Sequence, residues 1–357
     1  MLNGLRANGV HVEECRAQLW RGIEDRVAQA SGKWFSLSFV GRVIHAYWSL
    51  IRQHRQMADY DVMMLGYPGQ FDAYLGRLLS WWRGKPVAID LYMSLYLIAT
   101  ERGLVAKSPL TGAVIRRLEQ IGLKLCDLII CDTLGYRDYH CETYQLTADR
   151  FRFVPAGADD RLFFPREAQK SSDKFTCAYH GTFLPSHGLE TIIDAAEELQ
   201  EHADIEFVFF GTGPEEGKIK ALAKDAELRN VRFSGWVERD EMAEKLAAAD
   251  VCLGVFGTTL QSRITVQNKI FEGLALGLPV ITGASPTAQD ALIDQQEVYF
   301  VERENGRSLA DGILTLKQDG GLRQAIAKNG REKFMTKHTV KALGAQLAQQ
   351  LREVAQR

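Results

Sequence analysis

Phe175-Thr176-Cys177-Ala178-Tyr179-His180-Gly181 and Ile205-Glu206-Phe207-Val208-Phe209-Phe210-Gly211-Thr212-Gly213-Pro214 decide the fold class. Each run holds six mostly apolar, aromatic or β-branched residues closed by glycine, which predicts a strand buried on both faces. Between them, Leu189 to His202 has the spacing of an amphipathic helix. Strand, helix, strand is the unit of a parallel sheet, because parallel neighbours need a crossover between them. The rhythm continues through Val231-Arg232-Phe233, Asp250 to Val255 and Pro279-Val280-Ile281-Thr282. Upstream, Asp61 to Gly66, Pro86 to Asp90, Leu128 to Asp132 and Phe151 to Pro155 read as four more strands. The clearest upstream helix covers 34–56, where Val40, Ile44, Tyr47, Leu50 and Ile51 share an apolar face.

The polar stretch Arg166 to Lys174 reads as a linker. A last helix, roughly 339–356, is apolar at Val340, Leu343, Leu347, Leu351 and Val354. The expectation is an α/β fold: two doubly wound, Rossmann-like domains facing a cleft, over 1–165 and 166–335, with 336–357 packing back on the first. Ligands in such folds sit beyond the carboxyl ends of the strands. The opening Met1 to Gly9 reads as a helix end and Val10-His11-Val12 as a strand. The strand and glycine loop that usually start such a domain are therefore expected either to be absent or to lie upstream of a start codon placed too late.

At 357 residues the chain is long enough for two domains. Its 46% hydrophobic and 25% charged residues, with no low-complexity tract, exclude a disordered or fibrous chain. No apolar run reaches the ~20 residues of a membrane span, and a net charge of −2 argues against a nucleic-acid binder. Six cysteines without regular spacing read as buried thiols of a cytoplasmic protein. Charge is uneven: residues 1–165 hold 20 Lys+Arg against 17 Asp+Glu, together with Trp20, Trp34, Trp48, Trp81 and Trp82. Basic residues beside tryptophans suit an anionic membrane surface; packing of those tryptophans in a core is the competing reading. The helix Lys33 to Gln56 and Trp81-Trp82-Arg83 would form that surface.

Gly211-Thr212-Gly213-Pro214 follows a strand and opens a helix, so its amides could face an anion, although a tight strand-to-helix turn is the better reading of the glycines taken alone. It lacks the dinucleotide spacing. Asp59-Tyr60-Asp61 precedes a strand instead of following one, and no set of residues has metal-ligand spacing, so no metal is expected. The richest segment is Arg263 to Ile281. Lys269 lies near a helix start, where a cation opposes the dipole unless an anion is bound. Glu272, three residues on, shares its face and could accept both hydrogen bonds of a ribose diol. A Lys–Glu surface pair is the plain alternative.

Four segments together resemble the family 4 retaining glycosyltransferases of the GT-B fold, in a bacterial subgroup. They are Phe153 to Asp159 with Phe164-Pro165, Gly211 to Pro214, Phe233 to Val237, and Asn268-Lys269 through Glu272 to Gly277-x-Pro279-Val280-Ile281. The first half is similar more loosely, through Ile89 to Tyr96 and Cys131-Asp132-Thr133. The resemblance implies sugar transfer from a nucleotide diphosphate sugar, with retention, without metal or cofactor, to a glycan or lipid-linked acceptor at the inner face of the cell membrane. It implies Glu272 on the nucleotide ribose, Gly235 to Val237 with Trp236 against the base, and Gly181, Thr182, His187, Gly211, Gly213 and Asn268 around the donor. Three departures stand out. The first Glu of the family's Glu-x7-Glu motif falls on Ile264, and its diphosphate Arg and Lys fall on Thr182 and His187. Arg263 and Lys269, with the Gly181 backbone, would then carry the leaving diphosphate, with His187 helping if protonated. Asp90, at a strand end, would touch the sugar or the acceptor, or else cap the next element. The same departures suit a catalytically impaired homologue that binds a nucleotide sugar or glycan as partner of another transferase.

Overall fold

The computed structural model describes residues 1–17, 37–168, 170 and 173–356. Trp20, Trp34 and the 33–36 start of the expected first long helix lie outside the described residues. Two all-parallel sheets organise the chain. In the first, β1 (Met63–Leu65), β2 (Val87–Asp90), β3 (Leu128–Cys131) and β4 (Phe151–Phe153) lie in chain order. The second contains β5 (Phe175–His180), β6 (Ile205–Phe210), β7 (Val231–Phe233), β8 (Val251–Leu253), β9 (Val280–Gly283) and β10 (Tyr299–Val301). Its spatial order is β10-β9-β8-β5-β6-β7. The chain enters at the middle, works outward through β6 and β7, then returns to β8 and works outward the other way. The reversal between β5 and β8 is a switch point, and it leaves a crevice beyond their carboxyl ends. Both sheets join the GT-B architecture that the sequence predicts.

Every expected strand but one is present, with β10 added. Val10-His11-Val12 forms no strand; Val10 and Val12 pack against a cluster holding Leu5, Ala88, Ile130, Leu347 and Ala348. Their alternation serves a side-chain contact, not a ladder. That cluster also seats the last helix, Val340–Ala355, on the first sheet. Ile44 departs from its expected stripe: it is exposed, as are Trp48, Trp81 and Trp82, so these three tryptophans are not core. All six cysteines are free thiols. No helix among the described residues is long and apolar enough to cross a membrane.

Candidate donor and acceptor site

The Asn268–Leu276 helix starts at the switch point and aims its first turn at the end of β5. Lys269 is only 7% exposed, so it is not half of a surface pair. Its ammonium donates to the Tyr179 hydroxyl at 2.6 Å, lies 3.9 Å from the centroid of that ring and stands 3.4 Å from His187 Nδ1. The Tyr179 hydroxyl lies 2.7 Å from the same Nδ1. With the Lys269 ammonium facing Nδ1, this setting disfavours a charged His187 imidazole. Burial and the Lys269 charge hold it well below the usual histidine range. The expectation that His187 supplies a charge is corrected accordingly. Burial also drives Lys269 well below the usual lysine range, against the opposing pull of Glu272. An ammonium this dry, with a hydroxyl and an imidazole as its near partners, lacks the anion that would stabilise its charged form.

Glu272 sits one turn on. Its Oε2 accepts from His180 Nε2–H at 2.7 Å, and its Oε1 lies 3.6 Å from the Arg239 guanidinium. Burial would raise this carboxyl, but the His180 bond and the Arg239 and Lys269 charges outweigh it and hold it below the usual range. It stands as a carboxylate ready to accept. His180 Nδ1 is buried with no partner.

Glycines shape the floor. Gly181 has φ +121°, and a Cβ there would come within 3.2 Å of Lys269 Nζ. Gly211 and Gly213 lie against the Gly181–Phe183 backbone, where side chains would meet Gly181 O at 2.1 Å and Phe183 N at 2.5 Å. Close backbone approach accounts for both glycines. Thr182 is exposed, and its carbonyl faces the Tyr179 hydroxyl at 3.2 Å. Trp236 is exposed beyond β7 with its indole N–H on Glu238, whereas the Val237 side chain is in the core and only its backbone can line a site. Arg263 is exposed at the end of the Leu260–Ile264 helix, near the half-buried Arg303. The Ile264 carbonyl accepts from Thr133 Oγ1 of the first domain at 2.6 Å.

Across the crevice, β2 ends at Asp90 and β3 is followed directly by Asp132. Burial pushes the Asp90 carboxyl up to about 6. Burial, with the Asp90 charge beside it, pushes Asp132 up to about 7. Asp132 Oδ1 is shut off from solvent without a partner. Tyr92 follows Asp90; its hydroxyl accepts from Asn268 Nδ2 at 3.3 Å, linking the two domains. Its ring meets Tyr67 edge-on at 5.6 Å. The fold therefore brings Lys269, Glu272, Asn268, Gly181 and His187 together, faces them with Asp90, and leaves Trp236 and Arg263 at the rim. Tyr179, His180 and Arg239 escaped the sequence reading, and Tyr92 and Asp132 entered it without a role, although Asp132 directly follows a strand. A cavity of about 430 Å³ lies elsewhere, against β5 and β6 and walled by Arg166, Arg232 and Lys245, and holds none of these residues.

Residues 160–333 match the family model described as glycosyl transferases group 1. Over 211 residues the chain is 26% identical to a GDP-mannose-dependent monoacylated alpha-(1-6)-phosphatidylinositol monomannoside mannosyltransferase of Corynebacterium glutamicum, covering 55% of each chain. It spans about half the length of the curated relatives it matches. Sucrose-phosphate synthase of Thermosynechococcus elongatus shares the fold at a TM-score of 0.68 and 19% identity, over 90% of this chain and 79% of its own. Anabaena HepE, solved in complex with UDP, does so at 0.68 and 15%, over 86% and 82%.

Proposed function

We propose that this chain is a family 4, bacterial-type retaining glycosyltransferase. It moves a sugar from a nucleotide diphosphate sugar to a glycan or lipid-linked acceptor, in the cytoplasm at the inner face of the membrane. The observation that carries this reading is the buried Lys269 ammonium beside the ionised Glu272 at the switch point of a glycosyl transferases group 1 domain. Lys269 and the first turn of its helix receive the diphosphate, Arg263 closes on it from the rim, and Glu272 accepts from the ribose hydroxyls. The bond from the anomeric carbon to the diphosphate oxygen breaks as the acceptor oxygen attacks on the same face. The leaving phosphate oxygen takes the acceptor proton, so no protein nucleophile is needed. The chain orients the two substrates and stabilises charge on the leaving diphosphate. Asp90 and Tyr92 hold the acceptor side. In this reading protein cations replace a metal, so chelation leaves turnover unchanged.

A panel of UDP- and GDP-sugars, screened by thermal shift and then assayed with lipid and glycan acceptors, tests it; the anomeric configuration of the product is read by NMR. Failure of every nucleoside diphosphate to raise the melting temperature, or an inverted product, overturns it. One observation favours a second reading: Ile264 stands at the place of the family's first Glu, and its backbone holds the domain contact to Thr133. A binding partner without turnover would keep the thermal shift and yield no product.

A further inference from the structure

Two neighbouring helices of the first domain, Leu37–Gln56 and Ala73–Trp82, present an outward face that no described residue covers. On the first helix Ile44, Trp48, Arg52 and Arg55 follow one another at intervals of four, four and three, a single helical stripe. On the second, Leu78, Trp81 and Trp82 share a face by the same rule. The five apolar members are between 61% and 70% exposed. The stripes meet where the Arg55 guanidinium lies 5.7 Å over the Trp82 ring. Arg83 ties the helices together by donating to the His54 and Met57 carbonyls at 2.7 and 3.0 Å. Residues 37–56 and 73–85 together carry six Lys and Arg and no Asp or Glu. Arg77 and Lys85 are answered from outside these stretches by Asp127 and Asp59. Among the described residues no carboxylate pairs with Arg52 or Arg55.

We infer that this face docks on an anionic lipid bilayer. An indole has an apolar body and a polar N–H edge, which suits the level of lipid headgroups, and a guanidinium pairs well with phosphate. A two-fold contact with a second copy would set these cations against one another, which disfavours self-association. The inference adds the surface to the membrane-side location proposed above, and it does not depend on turnover.

Flotation with phosphatidylcholine vesicles, with and without phosphatidylglycerol, at low and high salt, tests it on the whole chain. Recovery should require the anionic lipid and fall at high salt. Tryptophan emission should shift to the blue on binding. Arg52→Ala with Arg55→Ala should lower partitioning by about 30-fold, since each basic residue near such a surface contributes about a factor of five. Trp81→Ser with Trp82→Ser should reduce the emission shift to the share that Trp48 supplies and weaken binding, while leaving the melting temperature unchanged. Equal recovery on neutral and anionic vesicles overturns the inference. So does binding of either double variant at the wild-type level, or self-association lost in the tryptophan variant with no vesicle recovery. Intact flotation without any sugar transfer would count against the transferase reading alone.

Discussion

Lys269 and Glu272 lie three positions apart in sequence, yet they sit in opposite electrostatic situations. Lys269 is a dry cation lacking an anion, whereas Glu272 is an anion already held by His180 and near Arg239. A nucleoside diphosphate should therefore lean on them unequally. Lys269→Ala removes a charge-assisted bond to phosphate and should cost roughly 1.5–3 kcal/mol, a 10- to 150-fold loss of affinity. Glu272→Gln keeps the shape and weakens acceptance from the ribose, at about 1–2 kcal/mol. A free nucleoside should feel the second change and hardly the first. Calorimetry with both ligands checks this; wild-type affinity of Lys269→Ala for the diphosphate would remove Lys269 from the phosphate site. Asp132 gives a stability readout with a defined sign. Its folded carboxyl titrates at about 7 against an ordinary value of 3.8. Between those pH values the folded state binds more protons than the unfolded one, so this group costs stability as pH rises through the window. Asp132→Asn removes the cost, on the order of 2–4 kcal/mol once pH exceeds 7 and fading towards pH 4. Melting curves of variant and wild type should therefore converge in acid and separate above neutrality.

Among the elements, the turn that carries Tyr92 towards the second domain rests on one buried acid. Glu119 is wholly inside; it accepts from Ser94 Oγ at 2.9 Å, Tyr144 OH at 2.5 Å and the Leu95 and Tyr96 amides at 2.9 Å each. It thereby satisfies the free amides at the start of the Leu95–Glu101 helix, which Ser94 also caps. Glu119→Gln places an amide among donors and should lower stability by roughly 2–4 kcal/mol, read by urea unfolding. Tyr144→Phe, which drops a single bond, should cost about 1 kcal/mol. Unchanged unfolding in both would mean that the turn is held elsewhere. None of this network was legible in the sequence, because its members come from three elements separated by 25 and 50 positions. What was legible followed from local chemistry. β5, β6 and β7 emerged with their full lengths because each is an apolar run closed by a turn. β10 escaped because three residues after a polar turn carry no period. The helical period placed Ile44 on an apolar stripe, yet the helix has apolar residues on two sides, and periodicity cannot say which side the sheet takes. For the site, Lys269 and Glu272 were readable as neighbours on one helix. Tyr179 and His180 were not, since the switch point unites residues about 90 positions apart, and Arg239 reaches Glu272 from a separate helix.

At the scale of the whole molecule, the cleft exists only if the two sheets keep their relation, and the final helix is the part that fixes it. It leaves the second domain beside His338, whose ring stacks on Phe271 at 4.2 Å and whose Nδ1–H donates to Ala156 O at 2.8 Å. Phe271 belongs to the same helix as Lys269 and Glu272, so the crossing point is braced directly against the site. The Val340–Ala355 helix then lies on the first sheet, burying Leu347, Ala348 and Val354 with Ala88, Leu128 and Ile130. Its contact with the Leu2–Ala7 helix is backbone against backbone. A Cβ on Gly344 would stand 2.1 Å from the Gly4 carbonyl carbon, and one on Gly4 would stand 2.4 Å from Val340 O. Rigid backbone on both sides leaves no flexible side chain to yield, so a larger residue must push the helices apart. Gly344→Val should therefore cost about 2–4 kcal/mol, combining overpacking with a β-branched residue in a helix. Gly344→Ala should cost less in the same direction. The second domain retains its own core, so the loss should appear first as undocking of the terminal helix, with early proteolysis near residues 338–345. Nucleoside diphosphate binding, confined to the second domain, should weaken little, while transfer, which needs Asp90 and Tyr92 opposite the donor, should fall steeply. Thermal melting, limited proteolysis and calorimetry on the Gly344 variants separate these effects. Wild-type proteolysis and full transfer in Gly344→Val would show that the helix does not set the geometry of the cleft.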